Sequence, residues 1–131
     1  MQDSVFTKII KGELPSFKVY EDDTTLAFLD IHPIQPGHTL VIPKKQVEFV
    51  WDLDEEDYLN LMKTVKKVSK RLKEVMQTKY VGAQVIGVDV PHAHVNLIPF
   101  STVEEFRTSQ DMDSKPDNSE LEKIAARIKF N

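Results

Sequence analysis

The strongest periodic pattern lies in the middle of the chain. Leu61, Met62, Val65, Val68, Leu72, Val75 and Met76 recur at helical spacing, so residues 54–77 are predicted to form one long helix that buries this stripe. Asp52, Asp54, Glu55, Glu56 and Asp57 cluster at its start, and Lys66, Lys67, Lys70, Arg71 and Lys73 follow on the other side, a polarity that complements the helix dipole. This basic face reads as a solvated helix surface. Ahead of the helix, residues 18–21, 26–29 and 39–42 read as short strands separated by turn-forming stretches around Glu21-Asp22-Asp23 and His32-Pro33-Ile34-Gln35-Pro36-Gly37. Behind it, 82–88 and 92–98 read as two more, and residues 5–11 as a short opening helix. Thr102 with Glu105 and Ser119 with Glu122 have capping-box spacing, the second opening an amphipathic segment that carries Leu121, Ile124, Ala125 and Ile128. Residues 114–118 between them read as a loop. Strands joined by short turns, with one long helix between the third and fourth, predict an α+β fold on an antiparallel sheet of about five strands.

Composition narrows the chemistry. The chain of 131 residues has the size of a single domain, expected to span 1–131. It contains no cysteine, which excludes disulfides, thiol nucleophiles, Fe–S clusters and thiolate zinc sites and fits a reducing cytoplasm. Any metal would have to use histidine and carboxylate. With 17 basic against 21 acidic side chains, a net charge of -4 argues against non-specific binding to nucleic acid or anionic lipid. The opening Met1-Gln2-Asp3-Ser4-Val5-Phe6 lacks a signal-peptide pattern and no apolar run reaches spanning length, so a soluble, cytoplasmic protein without membrane partners is expected.

Candidate chemistry concentrates at Pro91-His92-Ala93-His94-Val95-Asn96-Leu97-Ile98-Pro99. Strand alternation puts His92, His94 and Asn96 on one face and Ala93, Val95 and Leu97 on the other, with same-face neighbours about 6.5 to 7 Å apart. Several of these groups could then converge on one phosphate. An imidazole near neutral pH can attack phosphorus, pass a proton or bind a metal, and two histidines at this spacing also occur as metal ligands or as structural polar residues. The nonapeptide alone leaves all three readings open.

This segment resembles the motif of the histidine triad (HIT) family, in its nucleoside phosphoramidate and nucleotide hydrolase branch, with Asn96 in place of the last histidine. Three further blocks are similar to the family in the same order: Val5 to Pro15, Val19-Tyr20-Glu21-Asp22, and Phe28-Leu29-Asp30-Ile31-His32-Pro33 followed by Pro36 to Lys45. The resemblance covers residues 5–100, leaving about 101–131 as a C-terminal helical extension without an assigned motif. It implies a HIT-like fold in which His94 is the nucleophile toward the α-phosphorus of a nucleotide, and the backbone carbonyl of His92 accepts the proton of the other His94 ring nitrogen. By the same resemblance Asp30 holds the ribose hydroxyls, His38 is the family's fourth histidine, and Val5, Phe6, Ile9, Phe28 and Ile31 form the slot for a purine base. Read from the residues alone, the apolar five are equally core material, and Asp30 could cap a turn. His32 and Asp89 read as turn residues, and Lys44 and Lys45 as a solvated strand end.

Three departures from the family pattern matter. Asn96 can donate a hydrogen bond to phosphate oxygen but cannot relay a proton, so turnover is expected to suffer more than binding. The segment from Gly82 to Val90 is shorter than the glycine-rich loop of many relatives. Some relatives also bind a structural zinc, and the corresponding positions here, Ser4, Thr7, Gln46 and His92, make that site unexpected. The resemblance therefore implies a hydrolase that releases a nucleoside monophosphate from phosphoramidates, dinucleoside polyphosphates or adenylylated adducts through a nucleotidyl-histidine. No metal is required in its chemical step, although a divalent cation could accompany a polyphosphate. The expected partners are a purine nucleotide and a second copy of the chain in a homodimer. A nucleotidyltransferase or phosphorylase, a nucleotide-binding protein with weak catalysis, and a metalloenzyme using His92, His94 and His38 are the alternatives.

Overall fold

The computed structural model describes residues 2–131. The apolar stripe of the middle segment forms α2 (Glu55–Met76), capped by Asp54, whose side chain accepts from the Asp57 N–H, and closed by Gln77 in the left-handed region at φ 55°. Leu61, Val65, Val68 and Leu72 are buried as expected, whereas Met62 is exposed, because it lies one residue, about 100°, around the helix from Leu61. Thr64 is buried instead, its hydroxyl bonded to that of Thr25 at 2.7 Å. The basic face is not wholly solvated: Arg71 donates to the carbonyls of Ile128 and Arg127 at the end of the last helix.

Five strands form one antiparallel sheet in the order β1-β2-β3-β5-β4: β1 (Lys18–Glu21), β2 (Thr25–Leu29), β3 (Thr39–Pro43), β4 (Tyr80–Gln84) and β5 (Val95–Phe100). The α+β expectation holds. α2 and the C-terminal helix α4 (Asn118–Ile128) cover one face, where Val41, Ala93, Val95 and Leu97 meet Leu61, Val68, Leu72, Leu121, Ile124 and Ile128. The short helix α1 (Val5–Ile10) packs Phe6 and Ile9 on the other face against Leu26, Phe28, Leu40 and Ile42. Covered on both sides, β2 and β3 are buried at every position.

Several boundaries differ from expectation. β4 runs from Tyr80 to Gln84 rather than over 82–88; the apolar residues beyond it, Ile86 and Val88, are exposed on a loop that turns at Gly87, with φ 76°. β5 starts at Val95 rather than at 92, because Ala93 N–H bonds to Val47 O and His92 N–H to Val90 O instead of joining the ladder. The alternation of faces nevertheless extends back through the histidines. α3 (Val103–Phe106) has the predicted capping box of Thr102 and Glu105. α4 (Asn118–Ile128) is capped by Asp117 rather than Ser119, since the Asp117 carboxylate reaches the Glu120 N–H at 3.1 Å.

Residues 107–117 form a strap between α3 and α4. At its first end Phe106 lies over β4, and Gly82 makes this possible, because a Cβ there would collide with the Phe106 ring. At its second end α4 is held by Leu121, Ile124 and Ile128 in the core.

Candidate active site

Hydrogen bonding fixes the tautomers of three imidazoles. Backbone carbonyls only accept and backbone N–H groups only donate, so each bond to the main chain assigns a proton. His94 Nδ1 bonds to His92 O at 2.8 Å and therefore carries the proton, leaving Nε2 with a free lone pair and no protein partner among the described residues. His92 Nε2 donates to Pro43 O at 2.8 Å, so its Nδ1 accepts from the Ser4 hydroxyl, also at 2.8 Å. His38 Nδ1 accepts the Ile34 N–H at 3.1 Å, so its Nε2–H donates to Asn96 Oδ1 at 2.9 Å. With its oxygen used, Asn96 has its amide NH2 left to offer. Phe6 sets its ring edge to face against both motif histidines, 5.2 Å from His94 and 5.8 Å from His92 between centroids.

Burial pushes the pKa of His92 and of His38 below the ordinary histidine value, the latter against opposing effects of the Asn96 bond and the Asp30 charge. The sign for stability follows. Above about pH 6.5 both rings are neutral whether folded or not, so their contribution is complete. Below it the unfolded chain takes up protons that the folded chain refuses, and stability falls by up to about 1.4 kcal/mol per pH unit for each ring until the folded-state pKa is passed. Urea unfolding midpoints are therefore expected to decline between pH 7 and pH 5. A flat midpoint over that interval would contradict the buried neutral assignment.

These groups meet a cleft of about 480 Å³. Val5, Phe6, Ile9, Phe28, Asp30, Ile31, His94 and Asn96 all line it. Phe6, Ile9 and Phe28 are core and wall at once, while Val5 and Ile31 are 51% and 44% exposed. His92 and His38 stand behind the wall, holding His94 and Asn96. Asp30 caps a turn, Oδ1 accepting the His32 N–H at 2.8 Å, and its carboxylate also lines the cleft, with Oδ2 3.7 Å from His38 Nε2. His32 occupies that turn but also lines the cleft, and its Nδ1 is buried without a partner among the described residues. Asp89 is exposed in its loop at the cleft wall. Lys44 pairs with Glu21 at 2.9 Å and Lys45 with Asp54 and Asp57 at 3.5 Å, so both serve the outer surface. Gln110 and Met112, which carry no motif or periodicity, also reach the cleft, from the strap.

The positions that correspond to the relatives' zinc ligands do converge, as a neutral hydrogen-bonded quartet. Ser4 Oγ bonds to His92 Nδ1, Thr7 donates to Gln46 Oε1, and the same oxygen accepts the Ser4 N–H at 2.8 Å. Hydroxyls and an amide are poor zinc donors, and the His92 nitrogen that could bind is already bonded, so these residues do not fit the ion. His92 and His38 spend their ring nitrogens on protein partners, so the three histidines do not present a common ligand set.

Fold and site define a class of protein in which an imidazole at the head of an inner strand faces a cleft of small-molecule size. The HIT domain model matches residues 11–103, and the chain belongs to the HIT family. An uncharacterized HIT-like protein of Borreliella burgdorferi is 44% identical over 106 residues, 76% of each chain. An adenosine 5′-monophosphoramidase of Schizosaccharomyces pombe is 34% identical over 131 residues, 95% of this chain and 98% of its own. Among solved structures, a Hit-like protein from Bartonella henselae is similar with a TM-score of 0.83 and 34% identity, covering 96% of this chain and 94% of its own.

Proposed function

We propose that this protein is a nucleotide hydrolase that acts at the α-phosphorus of a purine nucleotide through a covalent nucleotidyl-His94, with one HIT-like domain over 1–131. The observation that carries this reading is the His94 ring: its Nδ1 proton is locked on a main-chain carbonyl and its Nε2 lone pair is left free beside the cleft. Phe6, Ile9 and Phe28 offer apolar surface to a flat base, and Asp30 accepts from the ribose hydroxyls. Nε2 attacks phosphorus, the bond from phosphorus to the leaving nitrogen or oxygen breaks, and the leaving group takes a proton from water. Positive charge on the ring is stabilised by the Nδ1–H bond to His92 O. A second water then attacks phosphorus, its proton passing to the hydroxide left by the first, which releases the nucleoside monophosphate and returns the electron pair to Nε2. Asn96, at the third position of the motif, donates through its NH2 to a phosphate oxygen. The monophosphoramidase relative supports a phosphoramidate as substrate. Intact-protein mass spectrometry after brief mixing with an adenosine phosphoramidate or a dinucleoside polyphosphate tests the reading by its adenylyl adduct. AMP binding without adduct or product between pH 5 and 8 would instead favour a binding protein, and exchange exceeding hydrolysis a transferase.

We also infer a homodimer. β4 is an edge strand, and Trp51, Leu59, Met62 and Tyr80 remain exposed. Sedimentation equilibrium is expected to give twice the chain mass; a monomer at micromolar concentration would refute it. No helix among the described residues is long and apolar enough to cross a membrane.

A further inference from the structure

The strap places one side chain where the proposed substrate's sugar would lie. Gln110 Nε2 donates to Asp30 Oδ2 at 3.0 Å and to His32 O at 2.9 Å. Both partners are pure acceptors, so the amide orientation is determined: NH2 faces the protein, and Oε1 makes no hydrogen bond among the described residues. Gln110 itself lines the cleft. An ionised carboxylate has about four acceptor sites, and two of those on Asp30 are taken, one by His32 N–H and one by Gln110. Two remain for a diol.

We propose that Gln110 is a second ribose-recognition residue, an inference that rests on the nucleotide-hydrolase reading. Its NH2 fixes the rotation of the Asp30 carboxylate, which holds the diol, and its free Oε1 is a further acceptor for one of the two ribose hydroxyls. Two bonds at its nitrogen hold the amide in place before ligand arrives, so little side-chain freedom is lost on binding. Both ends of the strap are anchored, by Phe106 over Gly82 and by α4 in the core, which gives the contact a fixed position despite the 80 residues between Gln110 and Asp30. Gln110 thus makes the site selective for ribonucleotides.

A merely structural Gln110, stapling the strap, would affect all ligands alike. Calorimetric titration with AMP and with 2′,3′-dideoxy-AMP separates the two roles. The intact protein is expected to prefer AMP, and Gln110→Ala to narrow that preference about tenfold, with loss concentrated on AMP. Gln110→Met, which keeps the length of the side chain without its amide, is expected to do the same, and thermal melts of both variants matching the intact protein exclude strap disorder as the cause. A preference that survives in both variants overturns the role of Gln110 while leaving the function intact. If the intact protein shows no preference for AMP, or binds neither nucleotide, the reading of Asp30 falls and this inference falls with it.

Discussion

His94→Ala is expected to abolish the adenylyl adduct and to lower AMP release by about 10⁴-fold or more, the scale seen when a covalent nucleophile is removed. The argument is geometric. Of His92, His94 and His38, only His94 has a ring nitrogen without a protein partner among the described residues, because His92 and His38 use both of theirs. The chain has no cysteine, Ser4 is committed to His92, and His32 Nδ1 is buried in the Asp30 turn, so none of these is placed to replace it. Binding should persist, because the base wall and Asp30 are untouched. Retention of the adduct, or of more than a tenth of the wild-type rate, would remove His94 from the chemistry. Loss of AMP affinity in parallel with rate would point to a collapsed site instead, which a thermal melt would reveal.

The second large effect is expected from Asn96→His, and its sign is a gain. Asn96 accepts from His38 through Oδ1 and has only an amide NH2 to offer, a group that can stabilise a phosphate oxygen but cannot give up a proton to a departing amine. An imidazole there could accept the same bond from His38 on one nitrogen and serve as a proton donor on the other. General acid catalysis of this kind is worth about 10² to 10⁴, and the lower end is expected because water already protonates the leaving group. kcat should rise about 10²-fold while the Kd for AMP changes less than threefold. The gain should be largest for a poor leaving group such as an alkylamine and smallest for one that departs without protonation. Equal kcat in both proteins across such a series would show that position 96 does not limit turnover.

The parts of this molecule that were legible in its sequence are those decided by neighbours close in the chain. The α2 stripe, the strands around Val19, Phe28 and Val41, and the Thr102 capping box follow from periodicity and local hydrogen bonding. The start of β5 was not legible, because it depends on Ala93 bonding to Val47 and on the His92 ring taking the Pro43 carbonyl, partners almost 50 residues away. Val85, Ile86 and Val88 imitate a strand by composition, but no neighbouring strand pairs with them. At the last helix the expected cap, Ser119, lies two residues inside the observed one, and Asp117 prevails because its carboxylate reaches the Glu120 N–H. In the site, residues within the motif blocks could be found from their chemistry, whereas Gln110 and Met112 come from a strap with no periodicity of its own. Only the anchoring of that strap at both ends brings them to the cleft.

The contact of Phe106 with Gly82 gives that anchoring an unexpected address. Gly82 lies on the outermost strand, away from the imidazoles, yet the space above it belongs to the ring that begins the strap. One added methyl group there would push on Phe106 rather than on any residue of the cleft, and the displacement would be passed along the segment that carries Gln110. Under the ribose role proposed for Gln110, the packing at the rim of the sheet and the sugar end of the cleft would be coupled through this segment.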